Sequence, residues 1–286
     1  MKRILIVGCG DVARRLAPLL TSKCRVYGLV RTPQHKAALR QLGMVPLEGD
    51  LDRPDTLQRL AGLADTVVHL APPAQTNSGG DSRTRHLLAA LAHGVLPRRL
   101  VYVSTSGVYG DCAGAWIDET RTPHPQNTRA QRRVDAERQL RVWGQDNGVS
   151  VAILRVPGIY AGDRLPLERI RAGTPAIVTA EDGYTNHIHA DDLARVVAAA
   201  MRHGKPNRVY HACDDSELKM GDYFDMVADA YALPRPPRLL RSEVQRAVSP
   251  ALWSFMNESR RLSNRRMKQE LHVRLRYPHV RDALVK

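Results

Sequence analysis

The 286-residue sequence predicts an α/β fold, a doubly wound parallel sheet with a smaller C-terminal lobe. The first evidence is the stretch 3–31, which has the pattern strand, glycine turn, helix and strand. Apolar strand-like runs and helical patterns then alternate through the first half, as parallel sheets require, because each crossover needs a helix. The second half is less regular and is broken by Pro234, Pro236 and Pro237, and we expect its C-terminal quarter to form most of the lobe.

Hydrophobic periodicity places each element in order. Short apolar runs predict strands at 4–7, 26–30, 45–48, 66–70, 100–104, 151–154, 176–179 and 208–212. Apolar residues at helical spacing predict helices at 11–21, 34–42, 54–61, 82–91, 126–147, 190–203 and 220–231. Residues 1–160, rejoined by 176–215, are expected to form a Rossmann-type domain. Residues 161–175 and 216–286 are expected to form the smaller substrate-binding lobe.

The turn after the first strand has the pattern G-x-G-x-x-A over residues 8–13. Gly8 permits a tight turn, Gly10 lets a pyrophosphate approach the backbone, and Ala13 lets the helix lie close to the sheet. The N–H groups and the positive dipole end of the helix face the phosphates. We therefore predict a dinucleotide site that includes Gly8, Gly10, Asp11 and Val12, with a plain glycine turn as the alternative.

The end of the second strand bears on the choice of cofactor. NAD-binding units carry an acidic residue there, whereas this strand is followed by Arg31, 23 positions after Gly8. An arginine suits the 2′-phosphate of NADP, so we expect NADP, with NAD as the alternative. Asp50, after the third strand, is expected to accept from the adenine amino group. Its alternative role is to cap the helix that begins at Pro54.

Composition sets broad limits on function. The net charge of +14 favours acidic partners such as nucleotides, although a solvated basic surface is the simpler interpretation. No apolar run approaches the roughly 20 residues of a membrane-spanning helix, and we expect a cytoplasmic protein without membrane contact. The four cysteines lie far apart without a C-x-x-C pair, so we expect neither disulfides nor a metal site.

Several segments together resemble the extended short-chain dehydrogenase/reductases, the NAD(P)-dependent epimerase/dehydratase group. The segments that carry the resemblance are GCGDVA (8–13), GDL (49–51), HLAP (69–72), STSGVYGD (104–111), AE (136–137), RVPGIYAGD (155–163), NHIHADDLA (186–194) and SNRRMKQELHVRLRYP (263–278). They follow the family's order over almost the whole chain. The resemblance implies an NAD(P)-binding Rossmann domain and an epimerase, dehydratase or other oxidoreductase activity.

The resemblance also implies roles for single residues. Thr105 is the family's active-site Ser/Thr, whose hydroxyl binds a substrate hydroxyl or carbonyl, whereas Tyr109 is expected to be structural. The residues expected along the cofactor, besides those of the glycine turn, are Arg31, Asp50, Leu51, Leu70, Ala71, Pro72, Arg133, Pro157, Gly158 and Ile159. Residues expected near the substrate cleft are Asn186, His187 and His189. The expected role of Asp191 and Asp192 is to cap the helix that follows them.

The sequence departs from the family at its catalytic pair, Tyr-x-x-x-Lys. Alignment through Ala136 and Glu137 places Arg129 at the tyrosine position and Arg133 at the lysine position. Arg129 cannot exchange a proton, because a guanidinium does not deprotonate in proteins, but Arg133 could still donate to the cofactor ribose. A general acid/base contributes about 10²–10⁴ in rate. A catalyst would therefore need a substitute, for which Tyr160, Tyr184 and His187 are the candidates.

Three functions remain open at this point. The first is an NADP-dependent epimerase, dehydratase or reductase that acts on a sugar nucleotide or a similar polar small molecule. The second, which is the main alternative, is a non-catalytic sensor or regulatory protein that binds NADP(H). This function would explain the loss of the Tyr/Lys pair. The third is nucleic-acid binding through the basic segment 260–276, but that segment has no recognition motif and few aromatic residues, so we expect no specific binding. Family members are often homodimers, and a homodimer is an expectation here too.

Overall fold

Seven parallel strands form one sheet at the centre of the computed structural model, which describes residues 1–74 and 79–284. In chain order they are β1 (Lys2–Val7), β2 (Cys24–Val30), β3 (Val45–Glu48), β4 (Thr66–His69), β5 (Arg99–Thr105), β7 (Ser150–Val156) and β12 (Arg208–His211). Their spatial order is β3-β2-β1-β4-β5-β7-β12, so the strand order reverses between β1 and β4. The predicted doubly wound α/β fold is confirmed, and ligands of such sheets bind at this reversal.

Helices and short strands complete the chain. The helices are α1 (Asp11–Leu20), α2 (Lys36–Gln41), α3 (Ser82–Ala92), α4 (Thr128–Asp146), α5 (Leu167–Arg171), α6 (Ala190–His203), α7 (Met220–Ala230), α8 (Arg241–Ala247), α9 (Pro250–Met256) and α10 (Arg265–Leu271). The short strands are β6 (Trp116–Ile117), β8 (Gly158–Tyr160), β9 (Ala176–Ile177), β10 (Tyr184–Thr185), β11 (His187–His189), β13 (Leu218–Lys219), β14 (Arg238–Leu239) and β15 (Arg261–Leu262). Turns of 3₁₀ helix occur at Pro33–His35, Pro54–Leu60, Ser106–Tyr109 and Val280–Ala283.

Both faces of the sheet are buried. Along β1, Ile4 and Ile6 belong to one core cluster with α1 and α6, while Leu5 and Val7 belong to another with α3 and α4. This alternation follows from the two-residue period of a strand. It explains why the strands are near-continuous apolar runs, because a parallel sheet is covered by helices on both sides.

The predicted elements match the observed ones within a few residues, with one change of type. The helix expected at 54–61 is a 3₁₀ helix, Pro54–Leu60. The helix expected at 190–203 has those bounds as α6. Among residues 1–74 and 79–284, no helix has the length and apolar character needed to cross a bilayer.

The smaller lobe is built around α5 and α7, whose apolar side chains form a separate core cluster with Tyr160 and Val280. Two segments lie elsewhere than expected. Strand β9 pairs with β14 rather than with the central sheet. Helix α10 packs against α6 and β12, because Met267 and Leu271 enter the core beside the central sheet. Residues 285 and 286, at the end of the expected lobe, lie outside the described part of the chain.

Candidate active site

A cleft of about 750 Å³ opens at the carboxyl ends of the central strands. It is lined by the expected cofactor residues Gly8, Gly10, Asp11, Val12, Arg31, Asp50, Leu51, Leu70, Ala71, Pro72, Arg133, Pro157 and Ile159, and by the expected catalytic residue Thr105. Gly158 is the exception among the expected residues, because it is absent from the lining and its backbone N–H donates to the Asn186 carbonyl. Parallel strands end at one edge, which brings these distant segments together.

The glycine turn has the geometry of a phosphate cradle. Gly8 has φ +96°, and a Cβ there would lie 2.4 Å from the backbone nitrogen of Ala71. The turn after β1 therefore contacts the end of β4 backbone to backbone, which a side chain would prevent. A Cβ on Gly10 would meet nothing within 4 Å, and Gly10 is the N-cap of α1 without a side-chain cap. The open space and uncapped helix end fit a diphosphate.

Asp11, in the first turn of α1, is neutralised by two arginines. Arg15 donates to it at 3.0 Å, and Arg164 donates to it at 2.9 Å from the loop after β8. Burial raises the pKa of Asp11, but these hydrogen bonds outweigh it and the net pKa is lowered. The carboxylate is therefore ionised and compensated, so it does not leave a bare negative charge beside the phosphate cradle. Arg164 lines the cleft and was not identified from the sequence.

The capping role expected for Asp191 and Asp192 is wrong. The N-cap of α6 is His189, whose ring nitrogen accepts from the backbone N–H of Asp191 at 3.2 Å. Asp191 instead binds Arg15 at 2.7 Å. Asp192 is fully buried and accepts from the backbone N–H groups of Arg276 and Tyr277 at 2.9 and 2.8 Å. The two carboxylates thus fasten α1 and the C-terminal segment to α6.

At the end of the cleft next to β2, Arg31 is exposed and forms part of the lining. The alternative role for Asp50, capping the helix at Pro54, is not observed, because its carboxylate accepts from the backbone N–H of Asp52 at 3.0 Å. Asp52 forms a two-point salt bridge with Arg83. Arg83 also donates to the carbonyl of Pro72 at 3.1 Å, so it joins two of the loops that line the cleft.

At the opposite end, Thr105 terminates β5 next to the first turns of α4. Its Oγ1 accepts from the backbone N–H of Gly107 at 3.2 Å. A hydroxyl has one donor and two acceptor positions, so Thr105 keeps its proton for another partner. Arg129 and Arg133 line the cleft from α4, one helical turn apart. This end therefore presents one hydroxyl donor and two guanidinium groups.

The two arginines have neutral partners. Arg133 donates to the Tyr102 phenol oxygen at 2.9 Å and to the Val103 carbonyl at 2.8 Å, so one of its nitrogens is committed to β5. The guanidinium carbon of Arg129 lies 4.9 Å from the ring centre of Phe255, in α9. Partial desolvation and the charge of Arg133 lower the pKa of Arg129. Neither arginine forms a salt bridge with any residue that the structure describes.

The candidate substitutes for the catalytic tyrosine lie outside this cleft. Tyr160 is 1% exposed, and burial raises its pKa. His187 is also buried, and desolvation lowers its pKa to about 3. The ring of Tyr184 packs against Arg261. No tyrosine is present among the described residues that line the cleft, so none of these three side chains occupies the place of the missing acid/base.

The other side chains expected near the substrate also lie away from the cleft. His189 is buried, and its ring stacks on Tyr277 with centres 3.9 Å apart. Asn186 lines a second, smaller cavity of about 250 Å³. None of these residues, His187 included, lines this cleft, and their expected place near the substrate stays a prediction. The segment 186–189 serves mainly to join the lobe to the C-terminal segment, because Asn186 bonds the backbone of Arg260 and Leu262.

A buried hydrogen-bond chain supports the end of β5. Ser104, next to Thr105, donates to Glu137 at 2.6 Å, and Arg155 binds the same carboxylate. Arg155 also donates to the hydroxyl oxygen of Tyr109 at 2.7 Å, and that hydroxyl donates to Nε2 of His211. The Nδ1 of His211 faces a backbone carbonyl and must carry the proton, so Nε2 is the acceptor. Tyr109 therefore has the structural role expected for it.

Fold and cleft together define a Rossmann-type protein with a nucleotide-binding edge. The model of the NAD dependent epimerase/dehydratase family matches residues 4–213, and the chain belongs to this family. The resemblance inferred from the motifs is confirmed. The prediction that the cofactor is a nicotinamide dinucleotide is confirmed as well, since the family is NAD dependent.

Relatives are known both as structures and as enzymes. A conserved protein of Silicibacter pomeroyi, described as functionally unknown, is 32% identical with a TM-score of 0.81, over 99% of this chain and 97% of that one. A putative NAD-dependent epimerase/dehydratase from Methylobacillus flagellatus is 28% identical with a TM-score of 0.74, over 99% and 96%. The GDP-6-deoxy-D-mannose reductase of Pseudomonas aeruginosa is 28% identical over 233 residues, 71% of this chain and 77% of the reductase.

Proposed function

We propose that this protein uses NADPH to reduce a carbonyl group on a sugar nucleotide or a similar polar substrate. The observation that carries the proposal is the set of side chains at the β5 end of the cleft. Thr105, Arg129 and Arg133 offer hydrogen-bond donors and positive charge there, without a tyrosine among the described lining residues. A relative of 28% identity is a sugar-nucleotide reductase, which supports the same class of reaction and substrate.

The choice of NADPH as the cofactor rests on two features of the cleft, the glycine turn before α1 and Arg31 after β2. Gly8 and Gly10 leave the space that a diphosphate needs, and the uncapped N-terminus of α1 supplies N–H donors. Arg31 takes the place of the acidic residue that would bind the 2′-hydroxyl of NAD. Its guanidinium has the charge and donors for a 2′-phosphate, so the proposal specifies NADPH rather than NADH.

The direction of the reaction follows from which proton transfers the side chains can perform. NADPH supplies a hydride when bound. Thr105 can donate its hydroxyl proton in a hydrogen bond to the substrate carbonyl, and the guanidinium groups stabilise the negative charge that develops on that oxygen. The resulting alkoxide takes its proton from water. Oxidation of an alcohol needs a base, which neither Arg129 nor Arg133 supplies, and the reverse of the step above would need hydroxide, which is scarce at neutral pH; the proposal is therefore for reduction.

The test is NADPH oxidation at 340 nm by the purified protein with a panel of keto-sugar nucleotides and similar polar ketones, 2-oxo sugar acids included. We expect oxidation with NADPH and much slower oxidation with NADH. Thr105→Val should lower kcat by about 100–1,000-fold, because one donor to a developing oxyanion is lost. Arg138→Gln, on the outward face of α4, is the matched control and should leave kcat unchanged.

The same experiment separates catalysis from a sensor function. Loss of the family's Tyr/Lys pair is what favours a protein that binds NADP(H) without chemistry. Such a protein would still be stabilised by NADPH, because a ligand that binds only the folded state raises Tm by mass action. An increase in Tm with no NADPH oxidation across the panel would therefore contradict the reductase proposal and support the sensor.

A further inference from the structure

Resting on the proposed reductase function, we propose that the substrate carries a carboxylate on the carbon next to its reacting carbonyl, and that Arg129 binds this carboxylate. The substrate class is thus a 2-oxo carboxylate, such as an oxidised sugar acid. Arg133 and Thr105 then face the carbonyl oxygen itself. The inference comes from two neighbouring arginines at the β5 end of the cleft that form no salt bridge with any described residue.

Arg129 and Arg133 occupy positions in α4 at which two positive charges destabilise the helix. Arg129 and Arg133 are four residues apart in the first two turns of α4, which begins at Thr128. Like charges at this spacing repel, and cations near a helix N-terminus oppose the helix dipole. Desolvation lowers the pKa of Arg129, and the charge of Arg133 lowers it further. A bound anion would relieve the repulsion, since the dipole and both side chains attract negative charge at one place.

Two other arginines of the cleft, at some distance from Thr105 along the sequence, are paired with carboxylates, in contrast. Arg83 binds Asp52 and Arg164 binds Asp11, although both also line the cleft. Of the residues that the structure describes, none forms a salt bridge with Arg129 or Arg133, and Glu258, whose charge acts on Arg129, is itself bound to Arg260. The folded chain therefore leaves two guanidinium groups without a salt bridge beside Thr105, at the place where a substrate would react.

The two guanidinium groups differ in what they can bind. Arg133 is fixed to β5 through Tyr102 and Val103, so its remaining N–H groups have a set direction. Arg129 has the ring of Phe255 as its neighbour, and Phe255 is 50% exposed. A planar guanidinium on an aromatic face presents its edge as a two-point fork, which matches a carboxylate.

The distance between Arg129 and Arg133 allows both guanidinium groups to contact one substrate. Side chains four apart on a helix have Cβ atoms roughly 5–6 Å apart. Two neighbouring substrate carbons, one a carboxylate and the other a carbonyl, can therefore contact both arginines at once. A carbonyl with only hydroxyl neighbours would leave Arg129 unpaired in the complex.

The experiment measures binding, so it is independent of turnover. Oxalate, which has oxygen atoms on two adjacent carbons, is titrated calorimetrically into protein saturated with NADP⁺. The neutral oxamide and inorganic phosphate are titrated in parallel. We expect oxalate to bind, oxamide not to bind, and phosphate to bind more weakly than oxalate. Arg129→Gln should weaken oxalate binding at least tenfold, since a charge-assisted two-point contact is lost.

Arg138→Gln is the control on the same helix, and we expect it to bind oxalate like the wild type. Its side chain is 77% exposed and pairs with Asp135 away from the cleft. Equal oxalate affinity in the wild type and Arg129→Gln would overturn the inference, as would tighter binding of phosphate or absence of oxalate binding. Absence of NADP⁺ binding, measured first by the shift in Tm, would instead overturn the proposed function and the inference together.

Discussion

Arg155 and Glu137 form a two-point salt bridge beneath the end of β5, with N–O distances of 2.7 and 3.1 Å. Both side chains are about 95% buried, with 4% and 5% of their surface exposed. Ser104 donates to the same carboxylate, and the next residue in the chain is Thr105. The salt bridge therefore connects β7 and α4 to the strand that presents the candidate catalytic hydroxyl.

Glu137→Ala should destabilise the protein by about 3–5 kcal/mol, because it leaves the charge of Arg155 buried without a partner. The free energy of unfolding in urea measures this effect. Arg235→Ala is the control, since its pair with Asp229 lies on the surface and its loss should not change the unfolding midpoint. A Glu137→Ala protein as stable as the wild type would show that the salt bridge does not hold this region together.

Gly8 and Gly10 should respond differently to the same substitution. Gly8→Ala requires a strained φ and a Cβ 2.4 Å from a backbone nitrogen, so we expect a marked loss of stability. Gly10→Ala has open space, and its stability should change by no more than about 1 kcal/mol. Its new methyl group enters the proposed diphosphate space, so NADPH should no longer raise Tm. Retention of the NADPH-induced shift in Gly10→Ala would contradict the position assigned to the diphosphate.

Arg31→Ala should weaken binding of NADPH by about 10–100-fold and leave binding of NADH nearly unchanged. The reason is that a charge-assisted contact is worth about 1.5–3 kcal/mol and only NADPH carries the 2′-phosphate. Fluorescence titration of both cofactors measures the two affinities. Arg40→Ala, in α2 and outside the cleft lining, should bind both as the wild type does. An equal loss for both cofactors would mean that Arg31 does not contact the 2′-phosphate.

Asp214 gives the stability a defined pH dependence. It is 5% exposed, and burial, reinforced by the charge of Asp215, raises its pKa from 3.8 to about 7. Between these values the folded protein binds a proton that the unfolded chain has released. The free energy of unfolding therefore falls as the pH rises through this window, by roughly 4 kcal/mol in total.

Asp214→Asn removes this ionisation and keeps an oxygen to accept from the backbone N–H of Ser216. The Tm of the variant relative to the wild type should therefore be several degrees higher at pH 8.5 than at pH 5. Thermal unfolding monitored by circular dichroism at the two pH values measures this difference. A relative Tm that is the same at both values would show that Asp214 does not titrate in this range.

Local patterns were enough to predict most of the architecture. The apolar spacing of residues 190–203 depends only on neighbours within the helix, and α6 has those bounds. The glycine turn is equally local, because Gly8 and Gly10 act through backbone geometry. Gly158 shows the limit of such reasoning. Gly158 begins β8 and its backbone N–H donates to Asn186, and it does not line the cleft although its neighbours Pro157 and Ile159 do.

Contacts between distant segments were not predictable in this way. Arg164 reaches Asp11 across 153 positions of sequence, and Asp192 reaches Arg276 across 84. His187 was expected beside the substrate but is buried against Tyr223, with ring centres 4.2 Å apart. No periodicity encodes these pairs, because they depend on how separate elements pack.

The sequence by itself determined the parallel α/β fold, the glycine turn and the replacement of the family's Tyr/Lys pair by Arg129 and Arg133. Only the tertiary structure decided which arginines are neutralised: Arg164 meets Asp11 and Arg155 meets Glu137, while Arg129 and Arg133 form no salt bridge with any described residue. The physical reason is the distance along the sequence over which each kind of interaction acts. Secondary structure follows from interactions over a few residues, whereas charge pairing is set where chain segments far apart in sequence meet at the carboxyl edge of the sheet.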